Sequence, residues 1–438
     1  MNPPPHPPRS LDDARRSRGG AVAGVDLRPP QRPTETRTEA PAETPTTPAQ
    51  RRLGVALLLL TAFCFGLGQT VVFTVLPPYR AAADLSEFQV TLIFGCSAVF
   101  WVLASPRWGR RSDRVGRRPI VLLGLGGFVL GMVLFAGAIG VALSGALTGW
   151  AAFAVLALAR SLHGGVASGG PAASQAYIAD RSSSGDRQSA LAGYAAAFGT
   201  GTVVGPSIGG LSAVAGPMVP LLIVAATGIL SALLIWRFVP EATPPQAREG
   251  RRALGPLDPR LRTTLAFGLL SGIVTATQLQ FVGFYTIDTL ALSEAEGAAA
   301  VGFVLTAAAV ASLAAQLLIV RVLRFPPKRL MRIAPLLVIA GFGGIVAGGS
   351  VAMIALGATI SGLGLGMSYP AFNADASLRV GTGEQGGAAG LAAAAGASGF
   401  VLVPFIGSAA YGAALPGPFL LGIGAALVMA GLAWFRRA

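Results

Sequence analysis

Apolar runs of roughly 20 residues recur from residue 53 to the end of the chain, separated by short polar or charged segments. Each run is long enough to cross the roughly 30 Å hydrocarbon core of a bilayer as an α-helix. The chain is 53% hydrophobic and 12% charged with a mean hydropathy of +0.64, which excludes a soluble protein of this size. We therefore predict an all-α membrane protein with twelve transmembrane helices, at residues 53–76, 87–105, 120–143, 150–179, 188–213, 217–238, 263–287, 297–320, 330–349, 351–376, 386–411 and 418–435.

Composition divides the chain into four parts. Residues 1–52 are rich in Pro, Thr, Arg and Glu without apolar periodicity, so we expect a disordered cytoplasmic tail and not a cleaved signal peptide. Residues 240–262 are charged and Pro-rich, which indicates a cytoplasmic linker between two six-helix bundles, 53–239 and 263–438. Leu-Ser-Glu follows both the first and the seventh span. The two bundles are therefore predicted to be pseudo-repeats.

Positive charge is placed along the chain in a way that indicates its topology. The formal net charge is +14, but the arginines lie in short loops and in the tail, so we expect no nucleic-acid partner. Loops with clusters of Arg and Lys alternate with loops that carry almost none, Arg80 being the exception. Because short cytoplasmic loops collect positive charge, both termini are predicted to be cytoplasmic.

The loop between the second and third spans reads Gly-Arg-Arg-Ser-Asp-Arg-Val-Gly-Arg-Arg over residues 109–118. We predict a tight hairpin in which Gly109 and Gly116 let the chain leave one helix and enter the next. Asp113 can accept hydrogen bonds at a helix start and pair with Arg114 or Arg117, which would form a charge clasp across moving helices. The alternative is that the loop only anchors the topology.

This pattern, G-x-x-x-D-R-x-G-R-R, resembles the signature of the same loop in the major facilitator superfamily at every fixed position. The resemblance implies the fold of that superfamily, two six-helix halves with a substrate site at the membrane midplane between them. It also implies a gating role for the residues of the motif, which are Gly109, Asp113, Arg114, Gly116, Arg117 and Arg118.

The fifth span contains G-x-x-x-G-P-x-x-G-G, formed by Gly201, Gly205, Pro206, Gly209 and Gly210. Stacked glycines let two helix backbones approach closely, and a proline removes one helical hydrogen bond, so we predict a conformational pivot. The motif resembles the antiporter signature of drug–proton exporters in the superfamily, which implies export. A packing face of small residues, without any choice between export and import, is the alternative.

The fourth span carries Arg160 and His163, which are three residues apart and are predicted to share one helix face. The segment resembles a superfamily motif around a buried arginine, in which a glutamine commonly stands at the position of His163. Ionisable residues at this depth are costly and indicate a functional site. We expect Arg160 to bind substrate and His163 to carry a proton. A structural cation and a neutral, hydrogen-bonded interior histidine are the alternatives.

The resemblance further implies that the first, fourth, seventh and tenth spans line the substrate cavity. Polar side chains within these spans are therefore candidate substrate contacts, namely Gln69, Gln278, Tyr285, Tyr369 and Asn373. Hydrogen bonding between helices is the alternative for each of them. Asp288, at the outer end of the seventh span, is a candidate proton carrier, and a solvated loop carboxylate is its alternative. We expect Arg160 to find an anionic partner in the substrate, in Asp288 or in a water-filled cavity.

We expect a secondary active transporter of the bacterial inner membrane, a proton-coupled monomer that exports a drug-like or siderophore-like compound. Residues 285–296 have a likeness to carboxylate-siderophore exporters of the superfamily. An importer of organic anions and a transporter-fold sensor are the alternatives. The catalytic motifs of proteases and nucleotide-binding enzymes are absent, so we do not expect an enzyme. Cys64 and Cys96 lie inside apolar runs, so we expect neither a disulfide framework nor a metal site. We also expect no cofactor, and we expect substrate, protons and lipid as the partners.

Overall fold

The computed structural model describes residues 48–435 apart from 182–186, 241–254, 256–257 and 382–383. The described residues belong to one compact unit, are mostly helical and include no strand. Residues 1–47, which make up most of the predicted tail, and most of the predicted linker lie outside the described residues. The first helix begins at Pro48, so the end of the predicted tail is helical.

The described part of the chain contains eleven helical segments long and apolar enough to cross a membrane. A twelfth, α6, is rich in Gly, Ser and Thr, which lowers its hydropathy but suits close helix packing. This confirms the predicted all-α membrane fold. The helices are α1 (Pro48–Val75), α2 (Glu87–Val115), α3 (Arg117–Leu143), α4 (Gly149–Ala167), α5 (Gly169–Arg181), α6 (Arg187–Gly210), α7 (Ser212–Ala215), α8 (Met218–Phe238), α9 (Arg262–Leu290), α10 (Glu294–Ala314), α11 (Pro327–Val346), α12 (Val351–Leu378), α13 (Gln385–Ala413) and α14 (Gly417–Trp434).

The predicted hairpin after the second span is wrong in one respect. Helix α2 continues beyond Ser105 to Val115, so Gly109 lies inside the helix. The turn occurs at Gly116 alone, where φ is 102°, a value that favours glycine. Arginine is a good helix former, and cations in the last turns of a helix interact favourably with its dipole, so the basic segment extends the helix.

The predicted fourth span is two helices, because the chain breaks at Ser168 between α4 and α5. Pro171 has no N–H to donate to the carbonyl of Ala167, which interrupts the helical ladder at this point. Gly170 then lies directly against the ring of Phe65 on α1, where a Cβ atom would have no space. The break and the small residues after it let α5 pack closely on α1.

Helix α10 is followed directly by a π-helix, Ala315–Val322, which was not predicted. Short π segments inside longer helices widen one turn and are frequent at functional sites. The residues just before and inside this segment, including Ser312 and Gln316, line a cavity described below.

The repeated Leu-Ser-Glu segments cap the start of a helix in both halves. Ser86 and Gln89 form a reciprocal capping box at the start of α2, and Ser293 and Glu296 form one at the start of α10. Each serine accepts a hydrogen bond from the backbone N–H three residues later, which satisfies a donor that the first turn leaves free. The internal repeat therefore marks equivalent helix starts.

Glycines set the helix crossings inside each half. In the N-terminal half, Gly66 of α1 lies against Gly201 of α6, and in the C-terminal half Gly272 of α9 lies against Gly399 of α13. A Cβ atom at any of these positions would collide with backbone atoms of the facing helix. The two halves meet where α2 packs on α13 and α6 packs on α10. A cavity lies between them.

Candidate functional site

A central cavity of about 560 Å³ lies between the two halves, within the usual size range of small-molecule sites. Helices α1, α2, α4, α9, α12 and α13 form its wall. Aromatic side chains make up much of the lining, and polar groups converge on it from both halves. The lining includes Gln69, Phe73, Phe94, Ser97, Trp101, Ser105, Pro106, Arg160, Ser271, Thr275, Tyr369, Phe372, Gly390 and Phe400.

The cavity extends toward the end of the bundle that carries the arginine-rich segment, which we call the basic end. Ser105 and Pro106 of α2 and Gly390 of α13 line it there. At its other end, Phe73 packs against Phe94 with ring centroids 4.6 Å apart, and Phe73 lies 6.5 Å from Phe400 of the other half. These rings separate the cavity from the opposite end of the bundle.

Arg160 is the charged group of the cavity lining. Its side chain is buried, and its Nε and Nη1 atoms have no hydrogen-bond partner among the described residues. The guanidinium lies 5.7 Å from the ring centroid of Phe135 on α3, a cation–π contact that compensates only part of the cost of burying the charge. Because an arginine side chain stays charged, the cavity presents a cation that can bind an anion.

His163 lies one turn from Arg160, and both side chains contact α3, which agrees with the shared face that their spacing indicates. The imidazole lies 5.5 Å from the ring of Phe128 and against Gly131, and it is not part of the cavity lining. Its Nδ1 has no partner among the residues that the structure describes. Its role in proton coupling stays a prediction.

The other predicted substrate contacts divide into two groups. Gln69 and Tyr369 line the central cavity, and Gln278 lines a smaller cavity beside it. Tyr285 instead donates a hydrogen bond to the carbonyl of Val346 at 3.0 Å, and the amide of Asn373 donates to the carbonyl of Tyr369 at 2.9 Å. These two side chains make helix contacts and line neither the central cavity nor the smaller one beside it.

Ser271 and Thr275 on α9 line the central cavity but were not predicted. With Gln278 they follow the spacing i, i+4, i+7, which places three polar side chains on one face of an apolar helix. This spacing was available in the sequence. The aromatic lining, including Trp101 and Phe400, carried no such signal, because aromatic residues in a membrane span are mostly packing residues.

The end opposite the basic end is closed by an ion pair between the halves. Nη2 of Arg80 lies 2.8 and 2.7 Å from the two carboxylate oxygens of Asp288, and the hydroxyl of Tyr411 donates to Asp288 at 2.6 Å. The Arg80 guanidinium also stacks over the ring of Phe284 at 5.0 Å. We call Arg80, Asp288 and Tyr411 the outer lock.

The outer lock excludes two alternatives that the sequence left open for Asp288. The residue lies in the last turn of α9, with its side chain 23% exposed, so it is not a solvated loop carboxylate. It is paired with Arg80, so it is not the partner of Arg160 in this conformation. Arg80, the one cation expected away from the basic loops, has a specific partner there.

At the basic end, Arg117 joins three helices of the N-terminal half. It lies 2.5 Å from Asp113 at the end of α2 and donates to Asp180 at the end of α5 at 3.0 Å and to Ser112 at 2.7 Å. Asp113 therefore pairs with Arg117, one of the two predicted partners. Arg118 donates to the carbonyl of Trp236 at the end of α8. These contacts all lie within one half, and their role in gating stays a prediction.

A second ionic cluster lies at the basic end of the C-terminal half. Arg260, just before α9, contacts Asp258 at 2.8 Å and Glu384 at 2.9 Å. The guanidinium lowers the pKa of both carboxyls by hydrogen bonding. The cluster connects the start of α9 to the start of α13.

The glycine motif of α6 faces two helices. Gly201, Gly205 and Gly209 face α1, where added Cβ atoms would collide with its backbone or with Thr70 and Thr74. On another face, Gly210 contacts Gly302 of α10 in the C-terminal half. The motif therefore permits close packing within its own half and against the other half. Whether it acts as a pivot stays a prediction.

Twelve membrane helices in two halves, with a cavity between the halves and an ion pair joining them at the end opposite the basic end, are the architecture of a membrane transporter. Residues 58–404 match the family model of the Major Facilitator Superfamily, and the chain belongs to that family. This confirms the resemblance carried by the loop motif. Family and fold indicate a transporter and not an enzyme.

The chain spans less than half the length of the curated relatives that it matches. The chain is 31% identical over 184 residues to the tetracycline resistance protein, class D, of Salmonella ordonez, covering 42% of this chain and 43% of that protein. It is 30% identical over 167 residues to the staphyloferrin B transporter of Staphylococcus aureus, covering 37% of each. The crystal structure of the human organic anion transporter MFSD10 (TETRAN) matches with a TM-score of 0.63 at 21% identity, over 89% of this chain and all of that chain. That similarity shows the fold.

Proposed function

We propose that this transporter exports a small organic anion or zwitterion across the bacterial inner membrane in exchange for protons. The observation that carries the proposal is Arg160, a buried cation at the wall of the central cavity with two nitrogen atoms unpartnered among the described residues. An anionic group of a substrate in the cavity would compensate the charge of this guanidinium. The cavity is otherwise aromatic and neutral, which suits an organic compound.

Three observations support export. Short arginine-rich segments favour the cytoplasmic side, so a cavity open at the basic end, with both termini on that side, would load from the cytoplasm. The glycine motif of α6 has every fixed position of the antiporter signature. Two relatives are named as a tetracycline resistance protein and a staphyloferrin B transporter. A carboxylate-rich siderophore is accordingly one candidate substrate.

The outer lock offers a route for proton coupling. Protonation of Asp288 would remove the negative charge that holds Arg80, so the two halves could separate at this end while the cavity closes at the other. A proton arriving from outside would thus favour the outward-open state. His163, buried beside Arg160, is the second candidate proton carrier. One cycle exchanges a substrate for a proton when the substrate leaves and the proton enters through the outward-open state, and the proton is then released at the basic end after the halves return.

Metabolite profiling of cells with and without the gene, under iron-replete and iron-limited growth, tests the proposal. We expect an organic anion to accumulate inside cells that lack the transporter, because its exit route is missing. Loss of uptake would instead indicate an importer of organic anions. The identified compound is then tested for transport in liposomes that contain the purified protein. If it does not move, the remaining interpretation is a transporter-fold sensor.

A further inference from the structure

A second cavity lies beside the central one, and we call it the side cavity. It measures about 210 Å³ and is formed by α1, α6, α9, α10, the π-helix, α12 and α13, so it also spans both halves. The two cavities share Gln69, Thr275 and Phe400 as wall residues. At this volume the side cavity is smaller than a typical ligand site but large enough for a side group of a compound held in the central cavity.

The chemistry of the two cavities differs. The central cavity contains the guanidinium of Arg160, whereas the described lining of the side cavity contains no ionisable residue. Its polar lining groups are the amides and hydroxyls of Gln69, Thr70, Thr202, Thr275, Gln278, Ser312 and Gln316. A charged group would find no compensating partner in such a site, while an uncharged hydrogen-bonding group would.

The hydrogen bonds inside the side cavity indicate which neutral group fits. The hydroxyls of Thr70, Thr202 and Thr275 donate to backbone carbonyls at 3.1, 2.7 and 2.8 Å. A hydroxyl has one proton to donate and two lone pairs, so each of these oxygens is left as an acceptor. The amide nitrogen of Gln316 lies 3.4 Å from the hydroxyl of Ser312, which leaves the amide oxygen of Gln316 as a further acceptor. The wall therefore offers several acceptors to a ligand group that donates, while the Ser312 hydroxyl and the Gln69 amide keep protons that can be donated to the oxygen of the same group.

Resting on the proposed function, we infer that the side cavity binds an uncharged hydroxyl or amide N–H group of the same compound whose anionic group contacts Arg160. The substrate class is then an organic anion with a neutral hydrogen-bond donor some distance from its acidic group. The π-helix that begins at Ala315 places Gln316 at this wall, in a segment whose wider turn departs from regular α-helix.

Calorimetric titration of the purified protein tests this inference. The probes are a series of ω-hydroxyalkanoates of increasing length, each paired with the alkanoate that has a methyl group in place of the hydroxyl. At the length that spans both cavities, we expect the hydroxy acid to bind roughly three- to tenfold more tightly than its methyl partner, the usual value of one net hydrogen bond.

Three variants test whether residues of the side cavity cause the tighter binding of the hydroxy acid. Thr202→Val and Gln316→Leu should reduce it toward zero. Thr359→Val is the matched control, because the Thr359 hydroxyl also donates to its own helix at 2.7 Å but lies outside both cavities. It should keep the preference unchanged. Thermal unfolding of each variant without probe shows whether it is folded.

A series without any preference for the hydroxyl, including one in which no probe binds, overturns the inference. So does a preference that persists in a variant carrying both Thr202→Val and Gln316→Leu. Failure of the proposed function gives a different result. Arg160→Gln should weaken both members of a pair by the same factor, and if it weakens neither, the anion contact is wrong whatever the hydroxyl preference shows.

Discussion

At the scale of single residues, burial and partners distinguish the ionisable groups within the membrane. Arg160 faces a cavity with nitrogen atoms unpartnered among the described residues, whereas Asp288 has both Arg80 and Tyr411 as partners. His163 is buried between α4 and α3 without reaching the cavity. These differences in surroundings support the roles that we propose, which are substrate binding for Arg160 and proton-dependent switching for Asp288 or His163.

Arg160→Ala should lower the affinity for an anionic substrate roughly tenfold to a hundredfold, since it removes charge-assisted hydrogen bonds. The measurement is substrate transport into or out of liposomes with an imposed pH gradient. Arg110→Ala is the control, because Arg110 is an exposed cation at the basic end, away from the cavity. Normal transport by Arg160→Ala would contradict the anionic-substrate proposal.

Replacement of the proton carrier should abolish substrate accumulation driven by a pH gradient but preserve the exchange of substrate for substrate. If Asp288 carries the proton, Asp288→Asn should still exchange substrate for substrate across the liposome membrane but lose accumulation driven by a pH gradient. The amide keeps the shape of the carboxyl and cannot gain or lose the proton. His163→Gln tests the other candidate in the same assay. Normal gradient-driven accumulation by both variants would remove both residues from the coupling mechanism.

At the scale of secondary-structure elements, small residues decide how closely the helices approach. Helix α6 crosses α1 through Gly201 and Gly205, and α9 crosses α13 through Gly272 and Gly399. Without a hydrophobic driving force between helices in lipid, such close packing is a main source of association. The glycine motif therefore has a structural role that is independent of any antiport function.

Gly201→Ala should destabilise the protein by about 1–3 kcal/mol, because the new methyl group would overlap the backbone of α1 around Phe63. The measurement is thermal unfolding of the purified protein. Gly126→Ala on α3 is the matched control, since no atom lies within 4 Å of the added Cβ atom. It should be neutral or slightly stabilising. Equal melting temperatures for the two variants would show that the crossing is not tightly packed.

At the scale of the whole molecule, the contacts between the halves are concentrated at the end opposite the basic end. Besides the outer lock, the hydroxyls of Thr91 on α2 and Ser408 on α13 lie 3.2 Å apart. The rings of Phe88 and Phe405 pack edge to face with centroids 5.9 Å apart. Alternating access by rocking of the two halves requires these contacts to separate in each cycle.

A disulfide between Thr91→Cys and Ser408→Cys should therefore stop transport, and reduction should restore it. The variants are made with Cys64 and Cys96 replaced, and transport in liposomes is measured before and after oxidation. The control is Thr61→Cys with Ser231→Cys, whose hydroxyls lie 2.9 Å apart within the N-terminal half. That disulfide should leave transport intact. Transport that continues with the first disulfide formed would contradict rocking at this end.

The sequence by itself determined the features that depend on the bilayer and on neighbouring residues. Apolar length placed the twelve membrane helices, and the signature G-x-x-x-D-R-x-G-R-R indicated the superfamily that the family model confirms. Helix caps such as Ser86 and Ser293 are equally local, because the capping side chain and the N–H it satisfies lie three residues apart.

Only the tertiary structure decided which buried polar groups meet. Asp288 pairs with Arg80, distant in sequence, and Arg160 reaches the cavity while His163, one turn away, packs against α3. Helical spacing gives the face of a residue but not the helix that covers it, so these partners depend on how the two halves pack. The extension of α2 through Gly109 and the π-helix after α10 also depended on tertiary context, because helix ends respond to packing as much as to local preference.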